Sequence, residues 1–217
     1  MAVFVLDENN NFPPVHLAEP DGLLAMGGSL APAQLLSAYH RGIFPWYDGD
    51  TILWWSPDPR FVLFPQNLYT SKSMKQVIRS GRFTFTINKA FDQVIEHCRK
   101  TKRAEQDGTW ITPEVETAYK RLHQLGHAHS AEAWLNGELA GGLYGVRTGR
   151  LFCGESMFSL QPNASKFAFI QYAQFLQQDG VELIDCQVYT EHLESLGAEM
   201  IPRSQFLEYT VAGATGT

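Results

Sequence analysis

The sequence lacks several features that would have named its chemistry at once. Its three cysteines, Cys98, Cys153 and Cys186, are odd in number, lie far apart and form no C-x-x-C pair, which argues against a zinc knuckle, a disulfide framework or a redox centre. Two of them stand in apolar runs, where a cysteine is expected to be a small buried hydrophobe rather than a reactive thiol. The seven histidines show no H-E-x-x-H or other ligand spacing, so no metal is expected. No apolar run is long enough for a membrane span, and Met1 to Asn11 lacks the basic start and apolar core of a leader. A cytoplasmic protein that makes no use of a membrane is expected. Internal repeats and low-complexity tracts are also missing, and only Ala212 to Thr217 reads as disordered.

Positive charge is scarce overall, with a net charge of −6 over 217 residues, and that average alone argues against a polyanionic partner. The distribution says otherwise. Lys72 to Arg103 holds nine basic and two acidic residues, net +7, whereas the remaining eight basic and twenty-one acidic residues give −13. A basic face on an acidic body suits a nucleic acid, and Lys72, Lys75 and Arg79 are its leading phosphate contacts. The plainer reading is a solvated helix face.

What is present reads as α+β. Residues 1–60 look like a small N-terminal domain rich in glycine, proline and aromatics. Ser29 or Pro32 opens its one clear helix, Leu35, Leu36 and Tyr39 form its apolar face, and Gly42 stops it. Residues 61–217 then alternate strands and helices. Phe61 to Phe64 and Phe83 to Ile87 read as strands and Asn88 to Cys98 as a helix. Thr112 and Pro113 start another helix, which Gly126 ends. His129 to Leu135 runs into Asn136-Gly137, the dipeptide most favourable to a two-residue hairpin, and Thr148-Gly149 makes the next reversal, so a three-stranded antiparallel meander follows. Asn163 or Ser165 opens a helix to Gln178, Glu182 to Val188 is a strand, and a short helix near Glu191 to Leu196 precedes a last strand near Met200 to Pro202.

Two strands of this second part carry a carboxylate near one end: Leu151-Phe152-Cys153-Gly154-Glu155-Ser156-Met157-Phe158-Ser159, and Leu183-Ile184-Asp185-Cys186-Gln187. A buried, unpaired carboxylate is costly, so Glu155 and Asp185 mark the expected site of chemistry. Gly154-Glu155-Ser156-Met157-Phe158 lacks the second glycine of a nucleophile elbow, and no histidine is evidently paired with Ser156, which speaks against a serine hydrolase. Phe44, Trp46, Trp54 and Trp55 read mostly as core. Trp46 is the exception, because it borders a polar loop where an exposed ring could stack on an unpaired nucleotide.

The element order resembles the GNAT acetyltransferase superfamily. That superfamily needs a glycine-rich loop of backbone amides for the pyrophosphate of acetyl-CoA, and Met157 to Ser165 contains no glycine. A CoA-dependent acyltransferase and a non-catalytic RNA-binding protein are the alternatives that remain open. Longer strings narrow the choice. Gly22-Leu23-Leu24-Ala25-Met26-Gly27-Gly28, Arg41-Gly42-Ile43-Phe44-Pro45-Trp46, Trp54-Trp55-Ser56-Pro57-Asp58-Pro59-Arg60, Gly108-Thr109-Trp110-Ile111-Thr112, Gly126-His127-Ala128-His129-Ser130, Phe152 to Ser159 and Ile184-Asp185-Cys186-Gln187 together resemble the bacterial leucyl/phenylalanyl-tRNA–protein transferase family along nearly the whole chain.

That resemblance implies transfer of leucine or phenylalanine, and methionine weakly, from aminoacyl-tRNA to the N-terminal amine of proteins beginning with lysine or arginine, which marks them for degradation. It implies a GNAT-like C-terminal domain without CoA or any other cofactor, acting as a monomer. Asp185 and Gln187 match the catalytic positions and Glu155 a site carboxylate. Trp46, Tyr39, Trp110 and Tyr119 match the aminoacyl-adenosine end, and Leu143, Phe152, Met157, Leu176 and Ile184 the amino-acid pocket.

Overall fold

The computed structural model describes residues 3–6, 11–101 and 110–210. The expectations for Lys102, Arg103, Gly108, Thr109 and the tail from Ala212 to Thr217 lie outside the described residues. Two sheets divide the rest. Strands β1 (Phe4–Leu6), β2 (Leu23–Gly27), β3 (Phe44–Pro45) and β4 (Leu53–Trp55) form a four-stranded sheet in the order β1-β2-β4-β3. Helix α1 (Pro32–Tyr39) joins β2 to β3. Pro32 opens it, where a missing amide proton costs nothing, and it buries Leu35 and Tyr39. Gly42, at φ 74°, turns the chain back toward the sheet.

Every strand of the second sheet comes from Arg60 onward. Along the chain come β5 (Arg60–Leu63), α2 (Lys72–Arg79), β6 (Thr84–Ile87), α3 (Phe91–Lys100) and α4 (Pro113–Gln124). Strands β7 (Ala128–Leu135), β8 (Glu138–Thr148) and β9 (Leu151–Ser159) follow, then α5 (Ala164–Gln178), β10 (Leu183–Gln187), α6 (Glu191–Glu194), β11 (Glu199–Ile201) and α7 (Arg203–Leu207). The sheet order is β11-β5-β10-β9-β8-β7-β6. The meander β7-β8-β9 is antiparallel. Asn136 at φ 54° and Gly137 at φ 84° supply the two left-handed residues its first turn needs. Strand β10 is parallel to β9 and antiparallel to β5, which places it near the middle of the sheet.

Alternating side chains feed two cores. Tyr144, Val146, Cys153 and Phe158 face α3, α4 and the four-stranded sheet, in one apolar cluster with Leu24, Tyr39, Trp54 and Tyr119. Leu143, Phe152 and Ile184 face α5 and α2, with Phe167, Leu176 and Met74. The seven-stranded sheet is thereby covered on both faces.

One local expectation changes and one helix gains its bounds. Within the run of basic residues, already read as a possible helix face, α2 spans Lys72–Arg79. Ser71 caps it by accepting from the Met74 amide at 3.2 Å, and Met74 is its one buried side chain. At α5, Asn163 stands at the capping position with φ 71° but its side chain caps nothing, and Ser165 lies inside the helix. The hydroxyl of Ser159 instead accepts from the Ser165 amide at 3.3 Å.

Candidate active site

Strands β9 and β10 pair in parallel from Leu183 opposite Leu151 to Asp185 opposite Cys153, and there the pairing stops. Each strand carries an irregularity at the point of divergence. On β9, Ser156 faces Tyr144 and Gly154 faces Gly145, leaving Glu155 as the extra residue of a bulge. On β10, Asp185 faces Val62 and Gln187 faces Phe61, leaving Cys186 unmatched. A bulge re-aims the side chains that follow it. On β9 this lets Phe152 and Met157, five positions apart, serve the same apolar core. Gly145 is required opposite the bulge, because a Cβ there would sit 2.2 Å from the Cys153 carbonyl oxygen.

The polar groups at this fork form one connected network. Asp185, fully buried, receives the Arg60 guanidinium in two parallel contacts, Nε to Oδ1 at 2.8 Å and Nη2 to Oδ2 at 2.7 Å. Its Oδ1 also accepts the backbone amide of Gln187 at 2.9 Å. That bond holds Gln187 at φ 65°, a left-handed conformation that costs a non-glycine residue roughly 1–2 kcal/mol. The Gln187 side-chain amide then donates to Glu155 Oε1 at 2.9 Å, while Glu155 Oε2 accepts from the Tyr119 hydroxyl at 3.0 Å. Tyr119 in turn shares a short hydrogen bond with the Tyr39 hydroxyl.

The expectation of unpaired carboxylates is therefore corrected for both residues. Asp185 has a full counter-charge, whereas Glu155 has only neutral donors. Burial pushes the Glu155 carboxyl from 4.5 up to about 7, against the opposing hydrogen bonds of the tyrosine hydroxyls and with a further push from the Asp185 charge. The same burial raises both tyrosines well above the ordinary phenol range, so they serve as neutral donors. Cys153 and Cys186 are likewise pushed up, first by burial and then by the Asp185 charge. Neither is a thiolate at neutral pH.

Of the residues singled out from the sequence, Glu155, Asp185, Gln187, Tyr39 and Tyr119 meet in this network. Trp110 packs edge-on to Tyr119, ring centres 6.5 Å apart. Trp46 is half-exposed and packs on Trp55 at 5.8 Å. Leu143, Phe152, Met157, Leu176 and Ile184 lie in one apolar cluster on the α5 side of the fork. Leu143 stands opposite Met157, and Ile184 opposite Phe152. Gln187 is half-buried and leads into the exposed Val188 and Tyr189, so the fork reaches the surface at its side chain. Lys72, Lys75 and Arg79 are exposed along α2 and enter no ion pair among the described residues. Arg99 and Lys100, counted in the same basic run, are paired with Glu116 and Glu96. No cluster of three or more potential metal ligands occurs among the described residues.

Sequence reasoning missed Arg60, which appeared only inside a longer string. It also missed Glu132, a fully buried carboxylate that accepts from Ser130 and Thr86 and ties β6 to β7. Strand alternation gave no such signal, because it puts Glu132 on the face opposite its neighbours Ala131 and Ala133, where a charged residue reads as solvent-facing.

The sequence profile described as Leucyl/phenylalanyl-tRNA protein transferase matches residues 62–210, and that of the family's N-terminal domain matches residues 28–58. The chain belongs to this family. A leucyl/phenylalanyl-tRNA–protein transferase of Christiangramia forsetii is 52% identical over 212 residues, covering 96% of this chain and 100% of that one. One from an Anaeromyxobacter species is 56% identical over 208 residues, covering 95% and 88%. Among solved structures, a GCN5-related N-acetyltransferase from Kribbella flavida covers 79% of this chain and 61% of its own, with TM-score 0.40 and 10% identity. The chain is thus an aminoacyltransferase, and its substrates are an aminoacyl-tRNA and a protein. No helix among the described residues is long and apolar enough to cross a membrane.

Proposed function

We propose that this transferase moves leucine or phenylalanine, and methionine weakly, from aminoacyl-tRNA to the N-terminal amine of proteins that begin with lysine or arginine, marking them for degradation. The observation that carries the reading is the Gln187 and Glu155 pair, held rigidly at a fork that reaches the surface. The ester bond to the tRNA ribose is already activated. The attacking α-amine, with a pKa of roughly 8, is partly neutral near pH 7. What the protein must add is alignment, a proton acceptor and stabilisation of the oxyanion.

The residues at the fork fit those tasks. Gln187 uses its NH2 on Glu155, and its side-chain carbonyl oxygen accepts no hydrogen bond from the described residues. That oxygen orients the incoming amine. As the amine nitrogen bonds to the carbonyl carbon, its proton passes to Glu155, poised at about 7. When the ester C–O bond breaks, the proton passes to the departing ribose oxygen. Asp185, held by Arg60, acts through Gln187 rather than as the acceptor. Leu143, Phe152, Met157, Leu176 and Ile184 hold the apolar side chain of the donor. Trp46 and Trp110 flank its adenosine, with Tyr39 and Tyr119 fixing Glu155 behind it, and Lys72, Lys75 and Arg79 meet the tRNA backbone.

No CoA enters this scheme. The start of α5 has no glycine loop, and Ser159 already takes the Ser165 amide that a pyrophosphate would need. The strands divide between Trp55 and Arg60, which supports a small N-terminal domain, expected over residues 1–60, on a GNAT-like domain, expected over residues 61–217, with Arg60 itself opening the second sheet; the protein works as a cytoplasmic monomer. The test is to incubate the protein with labelled leucyl-tRNA and a peptide beginning with arginine, without CoA or ATP. Labelled peptide is expected. Acylation of the peptide from acetyl-CoA, with none from leucyl-tRNA, supports the acyltransferase alternative, and tRNA binding without product supports a non-catalytic RNA-binding protein.

A further inference from the structure

Arg60 is 1% exposed and opens β5, the strand beside β10. Its guanidinium lies between two aromatic rings, 4.6 Å from the centre of Phe44 on β3 and 4.5 Å from that of Phe206 on α7. Two edge nitrogens, Nε and Nη2, hold the two oxygens of Asp185. The third nitrogen, Nη1, is buried without a hydrogen-bond partner. Three separate parts of the chain therefore converge to fix one planar cation. The plane matters because a bidentate contact sets the tilt of the carboxylate as well as its distance.

That tilt is inherited down the network. Asp185 Oδ1 is shared between Arg60 Nε and the Gln187 amide, and the Gln187 amide bond is what holds the left-handed turn. From that turn the Gln187 side chain reaches Glu155. We infer that Arg60 is a positioning residue for the transfer, the ring-clamped end of a relay through Asp185 that fixes the Gln187 side chain against Glu155. Lysine cannot replace it, since a single ammonium point contact leaves the carboxylate free to rotate and has no face to lie between two rings. The inference rests on the transfer reading for its kinetic consequence, but its structural half does not.

Arg60→Lys keeps the charge and nearly the length, so the fold is retained while the fork is lost. Single-turnover transfer from leucyl-tRNA to an arginine-initiated peptide is expected to fall by at least about thirtyfold per folded molecule, with KM for the donor within about threefold of the parent. Phe206→Leu, which removes one ring from the guanidinium and alters no charged group, is expected to lower the rate several-fold in the same pattern. Independently of activity, exchange of the Gln187 backbone amide, followed by NMR, should speed up by about tenfold or more in Arg60→Lys. A near-normal rate per folded molecule, or a loss confined to KM, overturns the kinetic claim. Unchanged Gln187 exchange overturns the relay itself. If the parent protein makes no labelled peptide, the transfer reading fails, and the exchange measurement still decides whether Arg60 fixes Gln187.

Discussion

Glu155→Gln is the substitution that the geometry interprets most fully. Glutamine matches glutamate in shape, its Oε1 still accepts from Gln187, and its NH2 can donate to the Tyr119 hydroxyl, whose own proton turns to Tyr39. No buried polar group is left without a partner. What changes is titration. In the folded protein the carboxyl is held at about 7 rather than 4.5, so between those values the native state keeps a proton that the unfolded chain has released. Stability is therefore lost as pH rises through that window, and the full cost, about 3 kcal/mol at most, is present above pH 7. Removing the group removes the slope. Urea unfolding of both proteins at pH 5, 6, 7 and 8 should give curves that converge at pH 5, with the variant ahead by roughly 2–3 kcal/mol at pH 8. The comparison between variants matters because His40, His129 and His192 have pKa values lowered mainly by burial. Their contribution has the opposite sign, with stability gained as pH rises toward the ordinary histidine value, and it cancels in the difference. Parallel stability curves would refute the raised pKa and with it the role given to Glu155.

Three further outcomes are expected. Reversing Lys72, Lys75 and Arg79 to glutamate should weaken tRNA binding and flatten its salt dependence by about one unit of slope per lost phosphate contact, while activity on a minimal aminoacyl-adenosine donor survives. Equal loss with both donors would make α2 merely structural. Leu143→Phe fills space opposite Met157, so competition between phenylalanyl- and leucyl-tRNA should shift toward leucine; unchanged selectivity would remove Leu143 from the pocket. Asp185→Asn leaves the Arg60 charge buried without a counter-ion, which should cost about 3–5 kcal/mol in denaturant unfolding and lower the rate per folded molecule about a hundredfold. Loss of stability with a normal rate would reduce Asp185 to a fold residue.

The sequence made legible whatever depends on local chemistry. Asn136-Gly137 fixed the hairpin because both left-handed residues are neighbours, and Thr112-Pro113 fixed the start of α4, where the threonine hydroxyl accepts from the Val115 amide at 3.3 Å. The strings around Glu155 and Asp185 lie on two strands that the structure brings together in one hydrogen-bonded network. What stayed hidden depends on distant pairing. Arg60 lies 125 residues from the carboxylate it neutralises, so Asp185 looked unpaired. The two bulges arise from register between strands, and no residue pattern within β9 or β10 announces them. At α5 the cap comes from Ser159, six residues before the amide it serves, beyond the spacing that cap signatures use.

The proton route through Glu155 is tested most directly by the pH dependence of single-turnover transfer from leucyl-tRNA to an arginine-initiated peptide, in the parent protein and in Glu155→Gln. The parent should show two rising limbs, one near pH 7 from Glu155 and one near the amine's own pKa of roughly 8. The variant should keep only the second, at a rate about a hundredfold lower. A variant that retains the lower limb, or that transfers at the parental rate across the range, would contradict the assignment of Glu155 as the proton acceptor.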